Sequence, residues 1–230
     1  MKFLVFTDIH GNADVLDSLD DEFSSCDAVI FAGDFADVIA KKDGMPVLEK
    51  LCKKHDEIYA VLGNHDSQEF LGKLEDAGIN AERMLNYTGG FAIIGSGGAT
   101  FFTRDTPNER SEEDILSDYA ILKTSENDGA DGAWSNLIII SHNPPKDTKC
   151  DAVNEHVHAG SEGFRALIEE IKPLAVITGH IHEGVGIDKI GDTVVINAGS
   201  LGLSGRYAIL EVEKSGDIFS VKNAELKSIK

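Results

Sequence analysis

Positive charge is what this 230-residue chain is short of: 21 lysines and arginines stand against 40 aspartates and glutamates, a formal net charge of −19. A surface that acidic repels phosphate backbones and anionic membranes at long range, which argues against non-specific nucleic-acid or lipid binding. Long apolar runs are missing too. No stretch approaches the roughly 18 residues of a membrane span, and the N-terminal run is broken by Asp8, too early for a signal-peptide core. Cysteine is scarce: Cys26, Cys52 and Cys150 are odd in number and form no short pair. They read as reduced, half-buried thiols of a cytoplasmic protein, not as a disulfide framework.

What remains is an ordinary globular composition, 42% hydrophobic and 27% charged. The length supports a sizeable core in one large α/β domain or two small ones. Five short apolar runs share one ending. KFLVFTD reaches Asp8 and His10, AVIFAGD ends at Asp34, and EIYAVLGNHD at Asn64 and His65; LIIISHNPP ends at His142 and LAVITGHIH at His180 and His182. Each run is of strand length and continuous, not alternating, so both of its faces are expected to be covered. Helical segments lie between them: ADVLDSLDDEF, PVLEKLCKK, EFLGKLEDAG and SEGFRALIEEI. That alternation predicts parallel strands with helical crossovers. The C-terminal stretches GVGIDKIGDTVVINAGS and RYAILEVEKSGDIFSVKNAEL instead predict strand–turn–strand units, antiparallel and late. The expectation is a mixed α/β fold, one domain over residues 1–230, with a lid-like insertion at about 99–136. In that insertion SEEDILSDYAILK predicts an acidic helix capped by Ser111, and TSENDGADG a polar connection.

In open α/β sheets ligands bind beyond the carboxyl ends of the strands. If these ends converge, Asp8, His10, Asp34, Asn64, His142, His180 and His182 form one cluster. All seven are nitrogen or oxygen donors, which excludes a structural Cys-type zinc site. Seven are too many for one tetrahedral ion and suit two divalent ions sharing a carboxylate. Two such ions, roughly 3.5–4 Å apart, are a common device for phosphoryl displacement and could hold a phosphate in spite of the acidic surface. Singly, each motif is more often a turn or a polar strand end. Five in this order argue against accident.

The motifs DIH (8–10), GDFAD (33–37), GNHD (63–66), SHNPP (141–145) and GHIH (179–182) together resemble the calcineurin-like metallophosphoesterases, over about residues 1–197. The stretch SHNPPKDTKCD, with HAGSEGFRALIEEIKP and GHIHEG, is most similar to small bacterial and archaeal phosphodiesterase-like members. The resemblance implies a four-layer α/β/β/α sandwich of two mixed β-sheets flanked by helices. It implies one ion held by Asp8, His10, Asp34 and His182, and a second by Asp34, Asn64, His142 and His180. His65 would act as general acid at the leaving oxygen, with Asp66 orienting it, and a metal-bridging hydroxide would be the nucleophile. Mn is the expected metal, with Fe, Ni, Zn and Mg as alternatives. One departure matters: Val38 and Ile39 follow Asp37 where protein phosphatases of this superfamily carry arginine and glycine. That shifts the expectation to small phosphodiesters. A phosphomonoesterase on a small metabolite and a non-catalytic metal-binding scaffold are the alternatives.

Other residues stay open at this level. GSGG (95–98) reads as a turn bordering the site. Asp37 and Glu183 fit contact behind the ligands and solvent exposure equally, and His158 fits the surface slightly better than the site. Tyr119, Phe101, Phe102 and Arg104 fit either a lid or an anchor for the loop, and Trp134 fits the core.

Overall fold

The computed structural model describes residues 1–38, 43–125 and 134–229; Ile39 and residues 126–132 of the expected polar connection lie outside them. Strands β1 (Lys2–Phe6), β2 (Ala28–Phe31) and β3 (Ile58–Ala60) run parallel. Their crossovers are a 3₁₀ turn with α1 (Asp20–Ser25), and α2 (Met45–Lys54). After α3 (Leu71–Asp76) the chain enters a second sheet through the hairpin of β4 (Asn86–Thr88) and β5 (Phe91–Ser96). A short ribbon, β6 (Ala99–Thr100) with β7 (Glu109–Arg110), leads into α4 (Glu112–Ser117). The ribbon of β9 (Ala152–Asn154) and β10 (Val157–His158) and helix α5 (Glu162–Ile171) separate β8 (Leu137–Ser141) from β11 (Ala175–Thr178). The hairpin of β12 (Gly186–Ile190) and β13 (Thr193–Asn197) completes that sheet. The four-residue helix α6 (Leu201–Ser204) then returns the chain to the first sheet as β14 (Arg206–Ser215) and β15 (Ile218–Ser228).

The first sheet has the order β15-β14-β1-β2-β3 and the second β12-β13-β11-β8-β5-β4. Both are mixed: β5, β8, β11 and β13 are parallel, while β4, β12, β14 and β15 pair antiparallel. The continuous apolar runs resolve into alternating sets because successive side chains point to opposite faces. Phe3 and Val5 face the core between the sheets, with Ile30, Ile138, Ile177 and Ile196. Leu4 and Phe6 face outward against Leu16, Phe23 and Val47. On the other outer face Ile139 and Val176 meet Tyr119, Trp134, Phe164 and Ile168. Three cores between four layers give the α/β/β/α sandwich, so Trp134 and Tyr119 are core residues while Phe101 and Phe102 are exposed.

The details differ from expectation in three places. Gly95 and Ser96 belong to β5, paired with Ile140 and Ser141, so the turn begins only at Gly97. Cys150 is fully buried, whereas Cys26 and Cys52 are half-buried; all three are unpaired. The ADVLDSL segment is 3₁₀ and not α-helical. Ser111 and Ser161 do cap α4 and α5, accepting from Asp114 N–H and Phe164 N–H.

Candidate metal centre

All seven candidate donors come together where the carboxyl ends of both sheets meet. The backbone makes this possible at a cost: Asp8, His10, Asp34 and His180 have φ of 55°, 50°, 65° and 66°. Non-glycine residues avoid this left-handed region, and clusters of such strain mark functional sites. The loops are pinned to one another. Asp8 N–H donates to Gly33 O at 2.9 Å, and Ile9 N–H and His10 N–H to Asp34 O at 3.1 and 3.0 Å. Gly63 is required by close approach, since a Cβ there would lie 1.8 Å from Asp34 Oδ1.

Each carboxylate has one oxygen tied and one directed inward. Asp8 Oδ2 accepts from Thr7 Oγ1 at 2.6 Å and from His180 N–H at 3.3 Å, leaving Oδ1 at 3.1 Å from His182 Nε2. Asp34 Oδ1 accepts from His65 N–H at 2.8 Å. Its Oδ2 lies between two imidazoles, 3.7 Å from His10 Nε2 and 3.5 Å from His142 Nε2, as a shared carboxylate would. Asn64 Oδ1 faces His142 Nε2 at 2.9 Å and His180 Nδ1 at 2.8 Å.

The donor chemistry fits cations. His142 Nδ1 lies 2.7 Å from the Ala32 carbonyl, which can only accept, so Nδ1 carries the proton and Nε2 presents a lone pair. That lone pair points at another acceptor, Asn64 Oδ1. His10 Nε2 and His182 Nε2 approach to 3.3 Å, with Asp8 Oδ1 3.1 Å from the latter. An acceptor aimed at an acceptor, as at His142 and Asn64, calls for positive charge between them. Among themselves the groups are frustrated. Burial, then the Asp8 and Asp66 charges, pushes Asp34 well above the usual carboxylate range. Burial also lowers His10 to about 4 and His180 to about 3. Asp8 goes the other way: burial opposes its ionisation, but the His182 bond and the His142, His182 and His10 charges hold it low. Divalent ions would favour the deprotonated form of every one of these groups. Two groupings, Asp8–His10–His182 and Asp8–Asp34–His142, bring their donor atoms within 4.8 Å of one another.

His65 sits beside this cluster, its ring centroid 5.3 Å from that of His10. Burial, reinforced by His142, keeps its pKa below the ordinary imidazole value. Asp66 makes no hydrogen bond to it. Both Asp66 oxygens are taken by backbone: Oδ2 accepts from Asp34 N–H, Phe35 N–H and Gly63 N–H at 3.0, 3.2 and 2.7 Å, and Oδ1 from Ala36 N–H at 2.8 Å. A carboxylate 1% exposed beneath two loops finds amides, not the imidazole next to it in sequence. Asp37 is half-buried and Glu183 exposed. His158 pairs with buried Asp151, Nδ1 to Oδ1 at 2.7 Å. Thr7 and Ser200, whose Oγ donates to Asp8 O at 2.7 Å, were not legible as site residues because neither belongs to a motif.

The model of the calcineurin-like phosphoesterase family matches residues 1–184. An uncharacterized protein of Methanocaldococcus jannaschii is 32% identical over 204 residues, covering 86% of this chain and 87% of that protein. Among solved structures, TT1561 of Thermus thermophilus superposes with a TM-score of 0.67 at 15% identity, covering 100% of this chain and 99% of that one. A dimetal phosphatase from Danio rerio gives 0.64 at 14% identity, with the same two coverages. The calcineurin-like phosphoesterase YfkN from Bacillus subtilis gives 0.57 at 16%, covering 100% of this chain and 90% of that one. The fold, the convergent Asp and His side chains and the family match together make this chain a member of the calcineurin-like phosphoesterases, metal-dependent hydrolases of phosphate esters.

Proposed function

We propose that the protein is a dinuclear phosphoesterase acting on a small phosphodiester. The observation that carries this reading is the convergence of seven nitrogen and oxygen donors at one end of the sandwich, with the His142 lone pair facing the Asn64 carbonyl oxygen. One ion falls to Asp8, His10, Asp34 and His182, the other to Asp34, Asn64, His142 and His180, and Mn²⁺ suits this set. When bound, the ions supply the positive charge that acidifies water and offsets charge on phosphoryl oxygens. The chain's own residues do the rest. Asp34 and Asp8 are held by Thr7 and by backbone amides so that one oxygen of each faces inward. His65, beside the cluster, is the group placed to give a proton to the leaving oxygen.

The diester preference rests on charge. Among the described residues no lysine or arginine bonds to any of the seven donors, whose ion-pair partners are one another. A diester brings one negative charge to such a site and a monoester up to two. The −19 net charge favours small substrates over nucleic acids, and three unpaired thiols suit the cytoplasm. In this reading residues 1–230 form one domain, and the ribbon tip at Thr106 and Asn108 borders the site.

Paired rates on bis(p-nitrophenyl) phosphate and p-nitrophenyl phosphate, with metal-stripped protein reconstituted with Mn²⁺, test the proposal. Faster diester cleavage is expected; monoester preference overturns the substrate class. D34N should lose metal and turnover while remaining folded, and H65A should keep metal and lose about 100-fold or more in rate. Unchanged turnover and full metal content in D34N would sink the two-ion reading.

A further inference from the structure

The ribbon between β5 and α4 carries a chain of hydrogen bonds that ends on the one amide among the candidate ligands. Asn64 Nδ2 donates to Thr106 Oγ1 at 3.2 Å, and Thr106 Oγ1 donates to Glu109 Oε1 at 3.1 Å. The same Glu109 organises the ribbon tip: its oxygens accept from Phe102 N–H at 2.7 Å, Arg104 N–H at 2.9 Å and Thr106 N–H at 3.3 Å. Asn108 adds a backbone clamp, its N–H donating to Asn64 O at 3.0 Å and its Nδ2 to Gly63 O at 3.1 Å.

The direction of this chain is determined at its far end. An ionised carboxylate only accepts, and a hydroxyl has a single proton to give. The bonds to Glu109 hold its pKa at about 2 despite burial of the group, so it is ionised at neutral pH. The Thr106 proton therefore goes to Glu109, and Thr106 can only accept from Asn64. Asn64 must then turn its NH₂ to the ribbon and its carbonyl oxygen to His142 and His180. An amide oxygen can bind a cation; an amide nitrogen cannot. Amide orientation is normally assigned from such networks; the ribbon side calls for this one, and a cation would meet the His142 lone pair left facing the carbonyl oxygen.

We propose that Thr106 and Glu109 are positioning residues that orient Asn64 as a ligand, so that the ribbon completes the second metal position. This rests on the two-ion reading above. It also carries a reciprocal consequence: if the docked ribbon favours the second ion, that ion favours the docked ribbon.

The test measures metal and not turnover. Mn²⁺ is titrated calorimetrically into metal-free wild type, T106V, T106S and E109Q, with the electron paramagnetic resonance of the loaded proteins recorded beside it. Wild type should take two ions and show the exchange-coupled spectrum of a pair. T106V should bind its first ion with wild-type affinity and its second 10- to 100-fold more weakly, the usual effect of losing a residue that orients a metal ligand. Its spectrum should become that of isolated Mn²⁺, and T106S should restore both readouts. E109Q, whose amide can donate to Thr106, should resemble T106V. Two ions bound by T106V with wild-type affinity and coupling would overturn the relay while leaving the two-ion reading intact. A wild type that takes a single ion would overturn both.

Discussion

Glu82 shows how much one buried side chain can weigh in this structure. It is 4% exposed, and its Oε1 accepts from Leu62 N–H at 2.7 Å, just before the GNHD motif. Burial, with Asp118 adding to it, raises its carboxyl to about 7 in spite of Arg83 and Arg110 nearby. The folded protein therefore holds this proton at pH values where an unfolded chain releases it. Stability from this group is complete below the unfolded carboxylate value and is lost as pH rises through about 7. The size of that loss is about 3 kcal/mol. E82Q, which keeps an acceptor for Leu62 N–H, should lack this loss. Denaturant unfolding at pH 4.5 and pH 8 checks it: the variant should gain on wild type by that amount at the higher pH, and parallel values would show that Glu82 titrates alike in the folded and unfolded chain. The ligands obey the same logic at closer quarters. The two nitrogens of His142 differ only because a carbonyl 110 residues away in sequence accepts from one of them.

At the scale of elements, the junction of the β2 and β3 loops depends on Asp66. Four backbone amides from Asp34, Phe35, Ala36 and Gly63 converge on its carboxylate and bring two candidate ligands, Asp34 and Asn64, to a common position. In D66N one oxygen becomes an NH₂ that must face amide donors, so both loops lose partners in a buried place. A stability loss of about 2–4 kcal/mol is expected, together with weaker Mn²⁺ binding. Asp66 makes no hydrogen bond to His65, so removing its charge, which favours the protonated imidazole, should lower the pH limb of His65 only slightly in whatever rate survives. A large shift of the basic limb, where a general acid loses its proton, with wild-type stability would instead restore the role of orienting His65. The β6–β7 ribbon is a second such element. Arg110 on β7 donates to Gly97 O at 3.1 Å and forms a buried pair with Asp118, fastening the ribbon to the loop that follows β5.

For the whole molecule, the metal cluster is where opposing groups are concentrated, so metal binding and global stability should be linked. Ions that bind only the folded chain stabilise it by about 2.7 kcal/mol at a hundredfold excess over Kd. For a chain of this size that corresponds to a rise in Tm of roughly 5–10 °C. Thermal unfolding in EDTA and in excess Mn²⁺ measures it; equal Tm values would mean that the cluster holds no ion. No helix among the described residues is long and apolar enough to cross a membrane.

The sequence by itself determined the five ligand-ended strands, that they run parallel, and the seven candidate donors at their ends. Those features are local: an apolar run of strand length ends where a ligand-bearing loop begins, and period-2 geometry does the rest. Even there the boundaries moved, as in β5, which runs through Gly95 and Ser96 because parallel pairing with β8 continues past the apolar run. Only the tertiary structure decided which atom of each donor faces inward. Ala32 assigns the tautomer of His142, Asp66 serves amides and not its neighbour, and Thr106 and Glu109 orient Asn64. The Ala36–Asp66, Asn64–Thr106 and His142–Ala32 bonds join residues 30 to 110 positions apart, and only the Thr106–Glu109 bond is local. A hydrogen bond has a direction and a donor, and spacing along a chain encodes neither until the loops are closed on one another.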